Sequence, residues 1–422
     1  MNGLATLLFW TRRFVLRTTL MVPVLLLFAL SCSGEQSPTS TGKVFAEVLE
    51  PVVTEVPVAG QEAPSGGARR LILVIGDGMG AEQIRAASLY KTGREEGLVL
   101  QSLPVYADMA THNASHEVPD SAAAGTAMAT AIKVQNGVVG VRLPGEGEDL
   151  PSITEQLSDK GWKVGLVTTA HTTHATPAAF GAHVASRLDY DGIARDYLTV
   201  SRPHIILGGG GYGMDPETVV EAGYTVVTSR EELSSMVSHR SPGYRIAGLF
   251  GEGHLPYLYD GRPADLPGLV EMSADAVEFL AATEDDFFLM IEAARIDHAG
   301  HANDIERLIP EVLELDAVVE MLLNHPLLQE DTLLVVTADH ETGGLSVNDL
   351  SEAGTIPEVS WATICHTAVD VPLFAGGVGA ERFAGVFDNT LLHGAMCAAL
   401  EPDSDVWLAI GSTIPSEEVT AQ

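Results

Sequence analysis

From residue 69 onward, short apolar runs alternate with longer stretches in which apolar residues return at helical spacing. Leu71–Ile75, Val164–Thr168, His204–Leu207, Phe287–Ile291, Thr332–Thr337 and Val371–Ala375 are continuous apolar runs of strand length. Such runs predict strands buried on both faces. In Ser273–Ala282 and Ile305–Leu323 the apolar residues recur every three or four positions, which predicts amphipathic helices, and Ser273 offers an N-cap oxygen to the first. Strands alternating with helices define the α/β class: a three-layer α/β/α sandwich around a mostly parallel central sheet. Residues 209–270 are rich in Gly and Pro with weaker periodicity and predict an excursion within one domain. Gly208–Gly211 follows a strand, but no lysine and hydroxyl follow it as a P-loop requires, so turn chemistry is its expected role.

The N-terminus has a different pattern. A basic stretch around Arg12, Arg13 and Arg17 precedes an apolar run from Leu20 to Leu30 that is short for a membrane span. Residues 1–31 therefore read as an export signal, and the paired arginines resemble a twin-arginine signal. Ala29-Leu30-Ser31-Cys32 resembles a lipoprotein cleavage box, so Cys32 is either a lipid anchor to a membrane or a thiol near an ordinary cleavage site. Residues 32–68, rich in Ser, Thr, Gly, Pro and Glu, predict a flexible tether; 69–402 form one domain and 403–422 a C-terminal tail. The expected destination is the periplasm or cell surface. Cys365 and Cys397 either pair or remain buried thiols. A formal net charge of −34 argues against a nucleic-acid-binding surface. It also means that anionic substrates need local cations to approach.

Those cations have candidate ligands at the ends of the predicted strands. Phe287–Ile291 leads into Glu292, Asp297 and His301, with the last two placed on one face if the segment is helical. Leu71–Ile75 ends in Gly76-Asp77-Gly78, where glycine permits close approach of backbone to an ion. Thr332–Thr337 ends in Ala338-Asp339-His340-Glu341. Carboxylate with imidazole suits zinc, and carboxylate alone suits magnesium. Each cluster alone is also an ordinary polar turn, and His366 before Val371–Ala375 is by itself an ordinary histidine. Asp120-Ser121-Ala122 opens a small-residue stretch that reads as a nucleophile at a helix start or as a plain N-cap. No Gly-x-Ser-x-Gly elbow surrounds Ser121, so a metal rather than a histidine triad is expected to activate it. Thr176 offers a hydroxyl to a hard ion, and Arg187 offers a planar fork to phosphate oxygens.

In this order, Asp120-Ser121-Ala122, Glu292 to Asp297 to His301, Thr337-Ala338-Asp339-His340-Glu341 and His366-Thr367 resemble the alkaline phosphatase family over roughly residues 69 to 400. The resemblance implies an enzyme that hydrolyses small phosphate monoesters through a phosphoserine intermediate on Ser121, with two Zn2+ and one Mg2+. It implies that Asp297, His301 and His366 bind the first zinc and that Asp77, Asp339 and His340 bind the second. Asp77, Thr176 and Glu292 would bind magnesium, Arg187 would clamp the phosphate, and Asp120 would orient Arg187. His174 and His298 stand where the enterobacterial type has Asp and Lys, as in the vertebrate type. His174 is expected to bring a direct or water-mediated ligand to the third site, and His298 to tune phosphate affinity from behind the ligands. The family habit further implies a homodimer, although the body has no room for the large capping insertion of the vertebrate enzymes. Diesterases of the same superfamily share the two-zinc site; Glu292, Thr176 and Arg187 favour monoesters.

Overall fold

The computed structural model describes residues 67–401 apart from 240–242, 283–284 and 329. The export segment, Cys32 with nearly all of the tether, and the C-terminal tail lie outside the described residues. The apolar runs form β1 (Arg70–Gly76), β2 (Val105–Ala110), β3 (Lys163–His171), β4 (Ile205–Gly210), β5 (Thr225–Val227), β6 (Ile246–Glu252), β7 (Phe287–Ala293) and β8 (Thr332–Thr337). They continue as β9 (Glu341–Thr342), β10 (Leu345–Val347), β11 (Val359–Trp361), β12 (His366–Thr367), β13 (Val371–Gly377) and β14 (Gly385–Asp388). Ten of these strands build one sheet in the order β14-β2-β13-β8-β1-β7-β3-β4-β6-β5. Only β13 runs against the others, pairing antiparallel with both β8 and β2. Leu71 to Ile75 and Phe287 to Ile291 are all fully buried, so helices must cover both faces of the central strands. The three-layer α/β/α sandwich is the observed architecture.

Several expectations need correction in detail. The helix expected to start at Ser273 begins a turn earlier, at Leu269, and Glu271 accepts from the Gly268 N–H at 2.8 Å. Ser273 is a fully buried residue of its interior, because Leu269 and Met272 extend the apolar stripe upstream. Residues 209–270 are not an excursion: they supply β5 and β6, which extend the parallel sheet from β4. Gly208–Gly210 is strand rather than turn, and only Gly211 takes a positive φ, of 79°. Glycine is required at 209 because a Cβ there would sit 1.5 Å from the Gly253 carbonyl oxygen. Cys397 is a free, buried thiol, so it does not pair with Cys365.

The predicted helix over 305–323 spans Ile305–Asn324, and the Asp304 side chain caps it by accepting from the Arg307 N–H at 3.0 Å. Leu308, Val312, Leu315, Val319 and Leu322 form its buried stripe. With the sheet fixed in this way, the carboxyl ends of β8, β1, β7 and β3 lie side by side, where open α/β sheets place their sites.

Candidate metal centre and nucleophile

Sheet register brings the acidic residues together. Ile75 lies beside both Glu292 and Thr337, and Glu292 lies beside Thr168. Asp77 and Asp339, each two residues beyond those partners, therefore converge with Glu292 at one edge. All three carboxylates are completely buried. Burial, reinforced by the neighbouring carboxylates, raises Asp77 well above the usual range. Burial likewise raises Glu292, and it pushes Asp339 up to about 7. Asp77 Oδ1, Glu292 Oε1 and Asp339 Oδ2 are buried without a hydrogen-bond partner, as are Thr176 Oγ1 and His174 Nδ1. Orphaned oxygens of this kind are costly in a folded interior unless a cation satisfies them. The donor set fits divalent metals. Three groups have ligand atoms within 4.8 Å of one another: Asp297, His301 and His366; Asp77, Asp339 and His340; and Asp77, His174 and Glu292.

The imidazoles are oriented by their second nitrogens. His301 Nδ1 donates to the Ile364 carbonyl at 2.6 Å, and His366 Nδ1 donates to that of Pro119 at 2.8 Å. Both Nε2 atoms are thereby left as lone pairs, and they face each other at 3.0 Å beside Asp297 Oδ1. Two lone pairs held in that arrangement call for positive charge between them. Burial alone would raise Asp297, but His366, His301 and His340 outweigh it and hold the carboxyl well below the usual range. The small β9–β12 pair sets His366 opposite Thr342 and stacks its ring on His340 at 3.5 Å. Thr342 Oγ1 donates to Asp297 at 2.5 Å, so it accepts from His340 Nδ1 and leaves His340 Nε2 free to ligate.

Ser121 begins the Ser121–Thr130 helix, and Asp120 caps it by accepting from Ala123 N–H at 3.0 Å. Ser121 Oγ lies 3.3 Å from His340 Nε2 and 3.5 Å from Asp77 Oδ2. The other Asp120 oxygen accepts from Arg187 Nη1 at 3.0 Å and from Gly137 N–H at 2.9 Å. One aspartate thus starts the nucleophile's helix and fixes the arginine. Arg187 Nη2 reaches His174 Nε2 at 3.4 Å, and His174 Nδ1 sits 3.8 Å from Glu292. His298 stands behind them, its ring 5.7 Å from that of His174.

All thirteen residues singled out from the sequence gather at this edge, and His174 joins Asp77 and Glu292 in one of the three groups. The Thr176 hydroxyl faces the same Glu292 carboxylate. Sequence reasoning missed Thr342, which braces Asp297, and Thr168, which donates to Glu292 at 2.5 Å. Thr342 ends the short β9 and Thr168 lies inside β3 at the close of its apolar run, and those positions were the available signal. It also missed His254, whose ring lies 4.5 Å from His298, and His171, which stacks on Tyr212 at 4.1 Å. His254 follows Gly251 and Gly253 in a segment without local pattern, so nothing nearby marks it.

A buried, carboxylate-rich centre at the carboxyl edge of a parallel sheet, with a serine on a helix N-terminus, defines a metal-dependent hydrolase of phosphate esters. The alkaline phosphatase family profile matches residues 68–359, and the chain belongs to that family. It is a phosphomonoester hydrolase. Alkaline phosphatase 3 of Bacillus subtilis is 29% identical, covering 79% of this chain and 89% of that protein. The alkaline phosphatase of the Antarctic bacterium TAB5 superposes with a TM-score of 0.71 at 29% identity, covering 80% of this chain and all of that one. A histidine-to-aspartate variant of the TAB5 enzyme, with magnesium bound in its M3 site, superposes at 0.70 and 28% identity over 79% of this chain and 98% of that one.

Proposed function

We propose that the enzyme transfers the phosphoryl group of a monoester to Ser121 and then to water, at a site for two zinc ions and one magnesium matching its three ligand groups. The observation that carries this reading is Asp77, whose carboxylate belongs to two of those groups and lies against Ser121 Oγ. Asp297, His301 and His366 would hold one zinc, and Asp77, Asp339 and His340 the other. Asp77, Glu292 and Thr176 would hold magnesium, with His174 close enough to join them. When bound, the cations supply Lewis-acid charge to the entering and leaving oxygens.

The chain's own residues do the rest by positioning. Ser121 gives up its hydroxyl proton as Oγ attacks phosphorus, the P–O bond to the alcohol breaks, the departing oxygen takes up a proton, and the phosphoryl group stays on Ser121. The helix N-terminus stabilises negative charge on that oxygen. Arg187, held by Asp120, presents two N–H groups to the non-bridging oxygens, the third of which a diester lacks as a charge. Water then attacks the same phosphorus, restoring the Ser121 hydroxyl and releasing inorganic phosphate. Elemental analysis of purified protein beside assays with a nitrophenyl monoester and its diester tests this. Zinc and magnesium near two to one with a monoester preference is expected; full activity after verified metal removal, or a diester preference, would overturn it.

The reading extends to location. Export through the segment 1–31, and anchoring through a lipid on Cys32, are supported by the order of basic, apolar and small residues there. Mass spectrometry of the mature N-terminus is expected to show an acylated cysteine; an unmodified N-terminus elsewhere would contradict it.

A further inference from the structure

Arg295 lies two residues before Asp297 and makes no ion pair among the described residues. Its partners are neutral: Nη1 donates to His298 Nδ1 at 2.8 Å, and the guanidinium lies 3.8 Å over the ring of Tyr257. Nε is buried without a partner, and Nη1 makes the one side-chain hydrogen bond of Arg295 among the described residues. The carboxylates whose charge it feels, Glu311 and Asp260, act from beyond ion-pair distance. Asp260 is engaged by Arg307, and Glu311 accepts from the Leu258 N–H through Oε1 while its Oε2 is buried without a partner. In a chain of net charge −34, a half-buried arginine left without a carboxylate is unusual chemistry for a structural role.

The surroundings supply more donors. Because His298 Nδ1 accepts from Arg295, its ring proton is on Nε2 and available to donate. His254 packs 4.5 Å from His298, with its Nδ1 buried and unpartnered. His298 faces His174, which touches Arg187, so a continuous row runs from the phosphoryl clamp to Arg295.

We propose that Arg295, with His298 and His254, forms a second anion subsite beyond the Arg187 clamp. It favours monoesters whose alcohol portion carries another phosphate or a carboxylate. A planar guanidinium held in no ion pair matches either anion. This inference rests on the monoesterase reading, and a matched pair of substrates separates the two: propyl phosphate and propane-1,3-diol bisphosphate, assayed at equal excess metal. The wild type is expected to show the lower KM for the bisphosphate. Arg295→Met is expected to cut the bisphosphate-to-propyl ratio of kcat/KM about tenfold, and Arg295→Lys to retain part of it. An unchanged ratio, or an equal loss on both substrates, would overturn the subsite. If Arg295→Met does not fold, the wild type alone decides: its bisphosphate preference must shrink as salt rises, and a preference for propyl phosphate would overturn the subsite. Failure to hydrolyse propyl phosphate at all would instead sink the monoesterase reading.

Discussion

Ser121 and Asp120 divide two tasks that a single residue often shares. Asp120 caps the helix and holds Arg187, which leaves the Ser121 hydroxyl free beside Asp77 and His340. Ser121→Ala should therefore lower kcat by roughly a thousandfold or more, while a thermal melt shows a change of no more than about 0.5 kcal/mol. A large melt shift would mean that the hydroxyl is structural. His174 sets the character of the third ligand group. A carboxylate in place of the imidazole beside Asp77 and Glu292 would bind magnesium more tightly, so His174→Asp is expected to raise the magnesium-to-zinc ratio of stripped protein reloaded at limiting magnesium. An unaltered ratio would remove His174 from that group. At this scale the sequence was most legible, because strand-end carboxylates and histidines announce themselves by type and spacing. Thr342 and Thr168 did not, since a hydroxyl is equally at home in any turn.

Among the elements, the loop that carries Arg187 depends on His183. Its ring contacts Glu155 Oε1 at 2.9 Å and the Gly140 carbonyl at 2.8 Å, tying that loop to the Ile153–Asp159 helix. Burial would lower His183, but Glu155 and Gly140 outweigh it and raise the ring to about 9 from the ordinary 6.5. A folded value above the unfolded one means that stability is fully present below about 6.5 and lost as pH rises through about 9. His183→Ala should thus cost roughly 1–3 kcal/mol in denaturant titrations near pH 6, with the difference closing at higher pH. A pH-independent cost would indicate packing alone. Gly209→Ala, forced against Gly253, should destabilise more than surface Gly→Ala changes. The same glycines explain why β4 through β6 were hard to read: close strand approach was met with residues that normally signal turns. Ser273 misled for a related reason, since a buried serine inside a helix has the same letter as a cap.

Across the whole molecule, the metal centre is an electrostatic fault that only cations repair. Asp77, Glu292 and Asp339 are raised by burial, Asp339 to about 7 from 3.8, so the metal-free fold takes up protons and loses stability as pH rises through that window. The melting-temperature gain on adding zinc and magnesium to stripped protein is therefore expected to be larger at pH 8 than at pH 5; an equal gain would mean that these acids are not the ligands. The α/β sandwich was legible because fully buried strands and amphipathic helices have distinct periods. The edge strand β14 and its neighbour β2 were not, for β14 is very short and β2 is half exposed. The most direct test of the central claim is acid quench of the enzyme during monoester turnover, followed by peptide mass spectrometry. Phosphate on Ser121 is the predicted result. Steady turnover with Ser121 unmodified, under conditions where water attack is slower than phosphoryl transfer to Ser121, would contradict it.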